Sequence, residues 1–208
     1  MIEMGLVGPS NESDNRSRIL SAAGALFAER GYASTSLRSI AGAVGMTPPA
    51  LYWYFASKQA ILHTLLYKAL FDFLDAVEAG VVGPAAEDRL RQLVRGHVTQ
   101  GLTQPRIGPY DSFFGLRQLA QFLSEEEQAE LVAGQRRHLD LLRDTLRDGI
   151  ACGCFRDLDV TATAFAIFSM CDYVMSWWKP TGPISAQELA SQYEELAIKM
   201  VLRKAPPL

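Results

Sequence analysis

Residues 31–62 read GYASTSLRSIAGAVGMTPPALYWYFASKQAIL, and the fold turns on where that stretch breaks. Leu37, Ile40, Ala41 and Val44 recur at helical spacing behind Thr35-Ser36 and stop at Gly45, which predicts a short helix. A second helix is predicted to begin at Thr47. The Thr47 hydroxyl can cap it, Pro48 suits the first helical position, and Pro49 sits where a helix leaves the N–H unpartnered. Only Gly45-Met46 lies between the two. Helix, tight turn and helix make the helix-turn-helix pattern, whose second helix enters the DNA major groove by its N-terminal end.

Upstream, Ile19, Leu20, Ala23, Leu26 and Phe27 form an amphipathic stripe with Asn11, Ser13 and Asp14 as candidate N-caps and Gly31 as the stop. Downstream, a long helix should start near Ser57 and run to the Gly80/Gly83-Pro84 break. Further helices are predicted at about 86–102, 110–122, 125–151, 159–178 and 186–203. No stretch alternates at period two over a strand's length, so the expected class is all-α. The predicted parts are a flexible arm over 1–14, a helix-turn-helix head over 15–56, and a larger effector-binding and dimerisation body over 57–208.

Composition fits that reading. The chain has 208 residues, 49% hydrophobic and 21% charged, which excludes disorder and collagen as descriptions of the whole. The net charge of −3 is unevenly placed. Arg16, Arg18, Arg30, Arg38 and Lys58 stand against Glu29 alone in residues 16–58, so a basic head sits on an acidic body. The N-terminus lacks a signal-peptide pattern, and cytoplasmic localisation is expected. Val160 to Trp178 is long and apolar, but Asp172, four Ser/Thr and the absence of a flanking basic cluster point to a helix inside protein. Cys152, Cys154 and Cys171 make no disulfide framework; buried or half-buried thiols are the preferred reading, with Cys152-Gly-Cys154 as a redox or metal pair the alternative.

In the head, Thr47, Pro48, Pro49 and Ala50 are short enough to let the backbone approach bases. Tyr52 and Tyr54 flank the groove. Arg38 is the candidate for a bidentate guanine contact, Lys58 for a mobile charge on a phosphate, and Arg16 and Arg18 for the minor groove or backbone. Trp53 is expected to pack inward or against the fourth helix.

Arg16 to Leu66 resembles the DNA-binding domain of the tetracycline-repressor (TetR) family of bacterial regulators. The carrying residues are Gly31-Tyr32, Thr35-Ser36, Ile40-Ala41, Val44-Gly45, Leu51-Tyr52, Tyr54-Phe55 and Ser57-Lys58. The resemblance implies a homodimer on a palindromic operator, usually a repressor, with a small-molecule pocket in the C-terminal domain. It places Thr35, Arg38, Thr47, Pro48, Pro49, Ala50, Tyr52, Tyr54 and Lys58 at DNA. Pro48-Pro49 departs from the family's usual Gly, Ser or Lys and removes two backbone donors. It also implies an interface from the last two helices, with Phe165, Phe168, Val174, Met175, Trp177, Trp178, Leu189, Tyr193, Leu196 and Met200 as candidates.

The expected ligand wall, apolar with a few polar groups, is His97, Phe113, Phe114, Gln118, Phe122, His138, Met170 and Asp172. Gly149 to Arg156 and Trp177 to Leu189 resemble TetR-family regulators of lipid breakdown, which implies acyl-CoA thioesters as effectors. A regulator of drug-efflux genes responding to an aromatic or cationic compound is the alternative. A helical-bundle enzyme or plain ligand-binding protein is the reading without DNA. Against the enzyme, no nucleophile elbow, P-loop, dinucleotide glycine pattern, HExxH or Glu-x-x-His pair occurs, and no metal or cofactor is expected.

Overall fold

The computed structural model describes residues 9–103 and 113–203, and among them the secondary structure is helical apart from one isolated bridge, Phe155 to Leu202. The order is α1 Pro9–Arg30, α2 Leu37–Ala43, α3 Pro48–Tyr52, α4 Lys58–Ala79, α5 Ala86–Thr103, α6 Phe113–Ala120, α7 Glu125–Ala151, α8 Val160–Trp177 and α9 Ala186–Val201. Most helix starts lie where the sequence puts a cap. Ser57 accepts from the Ala60 N–H, and Ser124 and Ser185 each close a capping box with the glutamate three residues on.

Two boundaries differ. α1 begins at Pro9, so Asn11, Ser13 and Asp14 lie inside the helix, and the residues expected in the arm are helical from position 9. α6 starts at Phe113; the part of the expected 110–122 helix at 110–112 lies outside the described residues, as does the arm before residue 9.

Ile19, Ala23 and Phe27 of α1, Ile40 and Ala41 of α2, Leu51 of α3 and Phe55 are buried together, so three helices with few core residues share one centre. Gly45 makes the turn between α2 and α3 with φ +71°, a conformation that costs a side-chain-bearing residue more. α4 continues from this head into the body, where Leu66, Leu70, Phe73, Leu74 and Val77 meet α5 and α7. α9 lies along α5, and Glu194, buried on α9, is held by Arg91 at 3.1 Å and by Arg95. No described helix is long and apolar enough to cross a membrane.

Candidate nucleic-acid interface and its link to the body

α3 has five residues and one buried side chain, Leu51. Thr47 caps it, accepting from the Ala50 N–H at 3.4 Å, and Pro48 and Pro49 open it. With Leu51 turned to the core, the opposite face is left to solvent: Thr47 and Pro49 are exposed, Pro48 and Ala50 half-buried, and Tyr52 is 55% exposed. Trp53 is 88% exposed. The expectation that it packs inward is therefore wrong. It sits at the helix C-cap, one position past Tyr52.

Arg38 is exposed on α2 and makes no hydrogen bond or ion pair with any described residue. The other head cations are engaged. The Lys58 ammonium donates to the carbonyls of Tyr32 and Thr35, each at 2.7 Å, and lies 4.2 Å from the Tyr32 ring centroid. Partial burial lowers its pKa from the ordinary lysine value. It is a tie between the α1–α2 turn and α4, not a mobile charge. Arg16 donates to the Tyr54 carbonyl at 2.8 Å and covers the Phe55 ring, while Arg18 donates to the Val44 carbonyl at 3.1 Å. Both stay exposed, but each braces the motif by a backbone acceptor.

Thr35 leaves the DNA-facing set. It is buried, and its hydroxyl lies 2.9 Å from the Gly31 carbonyl and 3.2 Å from that of Leu26. Tyr54 is half-buried, its hydroxyl accepting from the Asn15 amide at 3.0 Å. Arg38, Thr47, Pro48, Pro49, Ala50 and Tyr52 thus fall on one accessible end of the motif, and Trp53 joins them.

The body reaches this head through named contacts. Phe122, at the α6–α7 corner, packs on Tyr32 with ring centroids 4.6 Å apart, and Tyr32 packs on Phe27 at 5.1 Å. Gln59 of α4 donates to Glu127 of α7 at 2.6 Å, and His63 lies 3.0 Å from Glu130. Hydrogen bonds from Gln59 and Ser124 hold Glu127 below the usual carboxylate range against the opposing effect of burial. Phe122 is therefore in contact with the head.

Of the other expected ligand residues, His97 and His138 face each other, Nδ1 to Nε2 at 3.2 Å, enclosed by Phe73 and Phe168. Burial holds both rings well below the ordinary histidine value, His138 at about 4, so one neutral ring donates to the other. The space beside them is only about 10 Å³. Asp172 is fully buried, Met170 packs on the core, and Gln118 is exposed. The side chains of Phe113 and Phe114 lie outside the described residues. A larger cleft, about 240 Å³, opens between α6, α7 and α8 and is lined by Arg117, Val132, Arg136, Leu139, Phe165 and Phe168 among others. None of the six expected ligand residues with described side chains lines it. Phe168 borders both spaces.

The expected interface set also divides. Val174, Met175, Trp178 and Leu189 are buried in the chain's own core, with the Trp178 indole donating to the Ile184 carbonyl at 2.9 Å. Phe168, Tyr193 and Met200 are partly buried against it. Phe165, Trp177 and Leu196 are exposed, along with Tyr173, which the sequence reading missed.

Residues 19–65 match the model for bacterial regulatory proteins of the tetR family, and residues 83–201 match the tetracyclin repressor-like C-terminal domain. This chain belongs to the TetR family. Among its relatives is the HTH-type transcriptional repressor KstR2 of Mycobacterium tuberculosis, 30% identical over 192 residues that cover 87% of this chain and 90% of the relative. A solved tetR-family regulatory protein from Rhodococcus RHA1 superposes with a TM-score of 0.80 at 29% identity, covering 91% of this chain and 98% of that one. PfmR of Thermus thermophilus, a TetR-family transcriptional regulator, gives 0.76 at 33% identity over 88% of this chain and 97% of its own. The chain is a TetR-family transcriptional regulator with a helix-turn-helix DNA-binding head.

Proposed function

We propose that the chain is a cytoplasmic homodimeric repressor, not an enzyme, whose two heads grip a palindromic operator and let go when a small hydrophobic effector binds the body. The observation that carries it is the end of the motif opposite Leu51. Arg38, Thr47, Pro49, Tyr52 and Trp53 are exposed and Ala50 half-buried, on a backbone already capped and braced. Arg38 reads a base edge, Tyr52 and Trp53 contact the sugar–phosphate walls, and the helix ends hold phosphates. Two such heads, one DNA turn or about 34–36 Å apart, give a palindrome. Repression rather than activation follows the likeness to KstR2, a transcriptional repressor.

The exposed apolar residues of α8 and α9, namely Phe165, Tyr173, Trp177 and Leu196, form the dimer face in this reading. They are large apolar side chains that stay exposed on the single chain. The effector enters the cleft between α6, α7 and α8, which has apolar walls and two arginines, Arg117 and Arg136, without an ion partner among the described residues. An acyl-CoA thioester fits that character, and a cationic drug does not. Filling the cleft moves the α6–α7 corner, and with it Phe122 against Tyr32 and Glu127 against Gln59.

Selection of retained fragments from sheared DNA of the source organism, with Arg38→Ala run in parallel, tests the reading. A sharp palindrome that the variant no longer prefers is the expected result. Equal retention of all sequences by both proteins overturns the DNA assignment. An acyl-CoA that binds without changing operator affinity overturns the release mechanism.

A further inference from the structure

The end of α7 carries two cysteines that DNA binding and effector release leave unused. Cys152 is the C-cap residue, its N–H donating to the Asp148 carbonyl at 3.0 Å and its sulfur 3.4 Å from the Gly149 carbonyl. Gly153 has φ +74°, so the chain doubles back, and the sulfurs of Cys152 and Cys154 meet as a disulfide. This corrects the expectation of buried thiols: both cysteines are exposed, and only Cys171 is free and enclosed. Burial, with the Asp172 charge beside it, raises the Cys171 thiol well above its ordinary value.

The turn is anchored on both sides without help from the sulfur bond. The N–H of buried Phe155 donates to the Gly149 carbonyl at 2.9 Å, and Phe155 pairs with Leu202 beyond the end of α9. Arg156 donates from its backbone N–H to Val201 and from Nε to Met200, both at 2.9 Å. The cysteine Cα atoms are thereby held 5.5 Å apart, inside the range of about 4.4–6.8 Å that a disulfide spans. The backbone that serves the joined sulfurs serves two thiols as well. Both cysteines line an open cavity of about 790 Å³ with Pro84, Ala85, Ala86, Glu87, Asp88, Asp148 and Ala151. Arg89 pairs with Asp148 and Arg91 with Glu87. The N–H end of α5 and the carbonyl end of α7 both border this cavity, so their partial charges oppose one another there. No described cluster of His, Cys, Asp or Glu has the makings of a metal site.

We propose that Cys152 and Cys154 are a reversible dithiol–disulfide site whose reactants are small disulfides. One cysteine, as its thiolate, attacks a sulfur of R–S–S–R; a protein–S–S–R bond forms and R–S⁻ leaves, taking up a proton. The second thiolate then attacks the protein sulfur of that mixed disulfide and expels the other R–S⁻. In sum, two protein S–H groups and one R–S–S–R become one protein disulfide and two R–SH. The protein pair is oxidised and the small disulfide reduced. An excess of small thiol runs the sequence backwards. The exposure of both cysteines and their separation of two residues make both steps local.

The test takes the full chain, reduces it, removes the reductant, and exposes it to cystamine or to oxidised glutathione. Remaining thiols are trapped after denaturation and counted by mass. Wild type should lose two thiols together and keep one, on Cys171. Either reagent should oxidise the pair. Cys152→Ser should stop at a mixed disulfide on Cys154, and dithiothreitol should restore every thiol. Three thiols surviving excess cystamine, or cross-linked dimers in place of an internal bond, would overturn the site. Because thiols are counted with no DNA present, failure here is distinguishable from failure of the repressor reading.

Discussion

The aromatic pair at the tip of the head and the rings around the body's two buried histidines are treated in opposite ways. In the body, Phe73 and Phe168 close around His97 and His138. In the head, Tyr52 and Trp53 project from a helix too short to bury more than one side chain. The cations differ in the same sense. Arg91 and Arg95 of the body end on carboxylates, whereas Lys58, Arg16 and Arg18 of the head end on backbone carbonyls and keep their charge uncancelled. A carbonyl orients a cation without neutralising it, so the head stays rigid and basic together. That combination suits a surface that must meet phosphate without collapsing on itself.

The enclosed rings make the strongest prediction. His97 and His138 have pKa values lowered on folding, His138 to about 4 from an ordinary 6.5. Between those values the unfolded chain binds more protons than the folded one, so stability rises with pH there. The penalty is absent above the unfolded value and grows as pH falls through it, by about 1.4 kcal/mol per pH unit for each histidine. Thermal melts from pH 7 to pH 4.5 should show Tm falling steeply, and His138→Leu should flatten the curve. A variant as acid-sensitive as wild type would break the contrast, placing the acid lability outside the pair.

The exposed end of the head comes next. Arg38→Ala should reduce operator affinity by about 1–3 kcal/mol and erase discrimination at one base pair, with Tm unchanged. Trp53→Ala should weaken all sequences, by about tenfold, again at constant Tm. Electrophoretic titrations on the selected operator and on scrambled DNA separate the two. A fall in Tm for Trp53→Ala would return the indole to a packing role and remove half of the head–body contrast.

How far the sequence alone reaches depends on whether the deciding partner is local. Helix starts at Ser57, Ser124 and Ser185 are legible because the capping hydroxyl and the N–H that donates to it lie three residues apart. Family membership is legible because Gly45, Thr47 and the apolar stripe lie in one short stretch. The direction of Trp53 is not, since a five-residue helix has no periodicity to reveal which face is buried. The fate of Lys58 is equally hidden: its acceptors are carbonyls 23 and 26 residues away, and every residue type carries a carbonyl. The cleft escaped for a related reason, because its walls come from three helices whose relative rotation no single stripe encodes.

Lys58 turns that lesson into a measurement. If its ammonium ties Tyr32 and Thr35 to α4, Lys58→Met should lower stability by about 1–2 kcal/mol. The slope of operator affinity against salt should stay close to wild type, since no phosphate contact is lost. A phosphate-binding lysine predicts the reverse, a shallower salt slope by about one ion at unchanged Tm.

The smallest effect belongs to Thr35, which decides whether the α1–α2 turn is scaffold or reader. Its hydroxyl can donate to one carbonyl at a time, and Gly31 at 2.9 Å is the nearer of the two. Thr35→Val keeps the shape and removes that donor, leaving a buried carbonyl with one partner fewer, so a loss of about 1 kcal/mol in stability is expected. DNA affinity measured well below Tm should not change, because a residue with 2% exposure has no surface to offer a groove. Thr35→Ser, which restores the donor but not the methyl, should recover part of the stability. A drop in affinity for Thr35→Val at full stability would mean that this turn opens on DNA, and that Lys58, held by the Thr35 carbonyl, is released to a phosphate with it.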